Sequence, residues 1–107
     1  MQSWSIRTLD VAPHQPQILR SDAELRAIVL HLPAGEELQE HQVHERAYVI
    51  VADGEVVIEQ DATTEAGGPG YVVHFDPGER HSVRATTDAR LLLMLTPWPG
   101  EGHPSRP

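Results

Sequence analysis

Apolar stretches in this chain are short, and Gly, Pro or an Asp-Gly pair interrupts them every few residues. None keeps a helical period, and several are rich in β-branched residues, which fit a pleated and half-buried strand. Residues 24–32 (ELRAIVLHL) read as a strand bounded by Pro33 and Gly35. Residues 38–43 give a shorter candidate, and 46–52 (RAYVIVA) a strong one ending at Asp53-Gly54. That dipeptide favours a tight hairpin turn, so 55–60 (EVVIEQ) is expected to return beside its predecessor. The run 61–70 (DATTEAGGPG) reads as a loop. Residues 71–75, 81–85 and 90–96 complete the strands, with Asp76-Pro77-Gly78 as a turn. A further short strand is a candidate at 4–9, before the Pro-interrupted stretch 11–17. Many short strands separated by turns indicate an all-β sandwich or barrel.

A chain of 107 residues is one domain with one core. It divides into an N-terminal extension (1–20), a barrel (21–96) and a Pro-rich tail (97–107) without regular structure. There is no cysteine. Disulfides, thiolate metal sites and cysteine nucleophiles are therefore excluded, and a reducing cytoplasm is the expected setting. No apolar run is long enough to span a bilayer as a helix. The formal net charge is −8, and the positive side chains are all Arg, with no basic cluster. That balance argues against nucleic acid and anionic membranes as partners. A nucleophile elbow, a phosphate-binding glycine loop and a metalloprotease helix motif are all missing.

Seven histidines raise the question of a metal. The segments 35–54 (GEELQEHQVHERAYVIVADG) and 70–85 (GYVVHFDPGERHSVRA) each set a histidine between glycine-marked turns. Together they resemble the two signature motifs of the cupin family. In the first, Gly35, His41 and Gly54 match, while Val43 stands at the second histidine and Ala47 at the glutamate. In the second, Gly70, Gly78 and His81 match, with Asp76 at the proline and Ala85 at the asparagine. The resemblance covers about residues 24–96 and implies a cupin-type double-stranded β-helix, a jelly-roll barrel.

It also implies one divalent metal inside the barrel (Fe, Mn, Ni or Zn), held by His41 and His81. Two histidines alone hold a metal poorly. His44, His74, or a carboxylate of Glu40 or Glu45 are the candidates to complete the set. Against this stands a plainer reading of His41 and His81 as buried, hydrogen-bonded imidazoles. His44 would then be a surface turn residue and His74 a strand-face or core residue. His31 is expected on a strand face, and His14 and His103 in solvent. Glu36, Glu37 and Glu40 form a wet acidic stretch. Tyr48, Tyr71, Phe75 and Met94 are expected in the core, and Trp98 at a pocket mouth or a subunit contact.

Two functions compete, the first favoured, beside a third reading as a structural homodimer without a ligand. One is a metal-dependent cupin acting on a small organic molecule, of dioxygenase or isomerase type if an enzyme. The other is a metal-free binding module for a small apolar ligand, suited to the apolar residues at Val43, Ala47 and Ala85. A homodimer is expected under either, since symmetric pairs are the commonest oligomers.

Overall fold

The computed structural model describes residues 1–41 and 45–96, with residues 39–41 described by their backbone alone. Its elements are β1 (Gln17–Ser21), β2 (Arg26–Leu32), β3 (Glu37–His41), β4 (Arg46–Asp53), β5 (Val56–Gln60), β6 (Thr63–Gly67), β7 (Val72–Phe75), β8 (His81–Ala85) and β9 (Ala89–Thr96). They pair antiparallel into two sheets. One sheet has the order β1-β2-β9-β4-β7 and the other β3-β8-β5-β6. The chain crosses repeatedly between the sheets, which gives the jelly roll expected from sequence. Among the described residues no helix is long and apolar enough to cross a membrane.

Side chains alternate between the two faces of a strand, so each sheet has one face to bury. Ala47, Val49 and Val51 of β4 are buried with Leu91 of β9 and Leu30 and Leu32 of β2. Opposite them lie Val56 and Ile58 of β5 with Val83 and Ala85 of β8, and Phe75 closes the same cluster. Removing each larger aliphatic side chain from water contributes about 1.5–3 kcal/mol. On the outer face of β2, Val29 is also fully buried, and Val11 is buried in the N-terminal segment. That segment is tied down where Arg90 Nη1 donates to the carbonyls of Ile6 and Leu9 and where Pro13 bridges to His31.

Several details differ from the reading of the sequence, among them a strand, β1, where none was expected, and Met94, which lies outside the core cluster. Asp53-Gly54 does not close a hairpin, because β4 and β5 belong to different sheets. It is a corner between sheets, and a corner needs the same left-handed backbone as a tight turn. Gly54 has φ +78°, and its N–H bonds the Asp53 carboxylate at 3.1 Å. The actual hairpin joins β5 to β6 inside the stretch 61–70 read as a loop. Its strand is polar and exposed at four of five positions, so no apolar alternation marks it. Residues 4–9 form a turn in which the Thr8 and Leu9 amides bond the Ser5 carbonyl. Tyr48, expected in the core, is 39% exposed because its parity on β4 is opposite to that of Val49.

The corner at Gly54 yields a test. A Cβ there would lie 2.0 Å from the Asp88 carbonyl oxygen, whereas at Gly35 (φ +83°) it would meet nothing within 4 Å. Gly35→Ala should therefore cost only backbone strain, about 1 kcal/mol, and Gly54→Ala at least about 3 kcal/mol. Urea unfolding of the two variants checks this, and equal losses would contradict it.

Candidate functional site

Strand parity turns His81, at the head of β8, to the same side as Val83 and Ala85, and it is 3% exposed. Its ring stacks on Phe75, with centroids 3.6 Å apart and planes 4° from parallel. Its Nδ1 lies 3.3 Å from the Glu79 carbonyl oxygen. Across the β3–β8 ladder the backbone of His41 sits directly opposite His81, after an irregularity between Leu38 and His41. Ala47 and Ala85 are both buried in the core, so at these motif positions the interior receives methyl groups and no donor atoms.

His74 lies one residue from Phe75 on β7 and is exposed, while Phe75 is buried. Its ring packs beside Tyr48, centroids 4.7 Å apart, and its Nδ1 is 4.0 Å from the Asp76 carboxylate. Strand alternation therefore separates His74 from the face that carries His81. His44 and Val43 lie outside the described residues, as does Trp98. Among the described residues, no group of three or more His, Asp or Glu side chains is placed to hold a metal. The described donors thus do not fit a divalent ion by themselves, since such sites ask for three or more protein ligands.

Next to this region, the β5–β6 hairpin and the edge strand β7 leave a cavity of about 60 Å³. Ile58, Val73 and Phe75 form its apolar part, and Gln60, Thr63, Glu65, Tyr71 and His74 its polar part. Register puts Thr63 opposite Gln60 and Glu65 opposite Ile58, so both β6 residues stand on the strand's concave side. The Tyr71 hydroxyl donates to Glu65 at 2.9 Å. Burial, and then the Glu65 carboxylate, push the Tyr71 phenol above its ordinary range. Glu79 braces the turn before β8: its carboxylate accepts the Asp76 N–H and the Gln60 side-chain N–H, each at 2.6 Å. The Asp76 backbone bond and then the Gln60 bond hold the Glu79 carboxyl below its usual value.

Sequence reasoning did not single out Gln60, Thr63, Glu65 or Glu79. The first three become a site only once β6 is known to be a strand paired with β5. The spacing of Glu79 from Asp76 is the one local signal, because a carboxylate three residues on can reach back to a turn amide.

A family model described as a cupin domain matches residues 28–97. Among solved structures, an RmlC-like cupin from Desulfovibrio desulfuricans is similar at TM-score 0.80 and 20% identity, covering 90% of this chain and 96% of that one. A Klebsiella pneumoniae protein with a double-stranded β-helix domain gives 0.77 and 16%, covering 91% and 90%. A cupin superfamily protein from Desulfitobacterium hafniense gives 0.76 and 15%, covering 85% of each. No curated protein matches the sequence.

The Glu79 brace carries a pH signature. Because its folded carboxyl titrates below the ordinary 4.5, its contribution is present above that value and is lost as pH falls through the lower folded one. Stability should drop on the acid side of about pH 4.5, and Glu79→Gln should drop less steeply there. Denaturant melts at stepped pH check this, and parallel profiles would contradict it.

Proposed function

The chain belongs to the cupin domain family, and on that premise we propose that it binds a small organic molecule inside its barrel. The observation that carries this reading is the cavity between β5, β6 and β7. Apolar side chains on one side and a few convergent polar groups on the other are the usual make-up of a small-molecule site. Ala47, the register partner of Phe75 on β4, adds a buried methyl group beside that apolar part.

A second reading, a divalent metal held by His41 and His81, is favoured by their direct opposition across the β3–β8 ladder. Under it His44 is the candidate to complete the set. His74, on the opposite face of β7 from Phe75, is the weaker candidate.

One experiment separates the two. Untagged protein is stripped with a chelator, reloaded with Fe(II), Mn(II), Ni(II) or Zn(II), and titrated with benzyl alcohol as a neutral aromatic probe while amide resonances are followed. The first reading predicts shifts in β5–β7 that chelation leaves unchanged. Stoichiometric metal that is lost in His81→Ala, with a probe response that needs it, would establish the second. No response under any loading would contradict both.

A further inference from the structure

We infer that the cavity between β6 and β7 is built for a small organic cation, an apolar molecule carrying an ammonium group. This deepens the proposed function and rests on the reading of that cavity as a ligand site. The central observation is Glu65. Its register partner on β5 is Ile58, a core residue 5% exposed. Glu65 itself is exposed on this edge strand, so its carboxylate stands at the rim of the cavity on the same face as a core residue.

The polar groups around it are matched to a donor. Tyr71 gives its one hydroxyl proton to Glu65 Oε1, and burial with the neighbouring carboxylate keeps that phenol protonated. Among the described contacts, Glu65 Oε2 has no partner. One N–H of the Gln60 amide is held by Glu79, and its carbonyl oxygen adds an acceptor. Thr63 adds a hydroxyl. No Arg lines the cavity, and the chain has no Lys.

An anionic ligand would meet Glu65 with no fixed cation to offset it, on a protein whose net charge is already −8. A neutral apolar ligand would displace water from these acceptors and leave them unpaired. An ammonium supplies the missing donors, and the Tyr71 ring can face the cation while Ile58, Val73 and Phe75 receive the apolar part. The cavity volume of about 60 Å³ limits the enclosed portion to a small group.

Three probes of nearly one shape test this: benzylamine, benzyl alcohol and benzoate, each titrated into the full chain with amide resonances followed by NMR. Benzylamine should bind about tenfold more tightly than either of the others. Glu65→Gln should abolish that preference, so that benzylamine and benzyl alcohol bind the variant equally. Attraction by overall charge alone would survive in that variant, so a preference that persists overturns the inference. Benzoate binding as tightly as benzylamine also overturns it. If benzyl alcohol shifts β5–β7 and benzylamine binds no better, the ligand site stands and the cation preference falls. If none of the three shifts those strands, both fall.

Discussion

Everything in this molecule depends on two sheets burying one face each against the other. Backbone amides are satisfied along the ladders, and the alternation of side chains then decides which residues meet in the interior. On β8 the rule carries His81 inward with Val83 and Ala85. On β7 it brings Phe75 onto the His81 ring. On β6 it leaves Thr63 and Glu65 on the concave side, at an edge where the sheets do not close over them. The chemistry available to the barrel is what this parity admits.

That chemistry is sparse in the described core. Interior positions are aliphatic or aromatic almost throughout, and His81 is the buried polar residue among those described. A buried imidazole is tolerated when its ring is packed and its nitrogens have partners. The Phe75 stack supplies the first, and the Glu79 carbonyl lies near Nδ1. Polar groups gather instead at the mouth between β6 and β7, where Tyr71 bonds Glu65 and Gln60 bonds Glu79 beside Ile58, Val73 and Phe75. The cavity therefore sets apolar and polar side chains side by side, the two-part character that the proposed ligand would share.

Much of the fold was legible in the sequence because the strands facing the core carry a clear apolar signal. Residues 81–85 coincide with β8, and 46–52 differ from β4 by one residue. The polar strands were not legible. Thr63–Gly67 forms β6 through pairing with β5, a nonlocal fact that its own residues do not announce. Asp53-Gly54 announced a left-handed backbone correctly, but a corner and a hairpin need the same conformation. The candidate site was less legible. The glycine spacing pointed to His81, whereas Glu65 looked like one carboxylate in a loop until the register set it opposite Ile58.

The most direct test of the account is the environment of the His81 ring, observed by NMR with a soluble gadolinium chelate as a paramagnetic probe. The account predicts His81 ring protons displaced upfield by the stacked Phe75 and protected from the probe, while those of the exposed His74 broaden. Equal broadening of the two rings, with no ring-current displacement at His81, would contradict the interior described here.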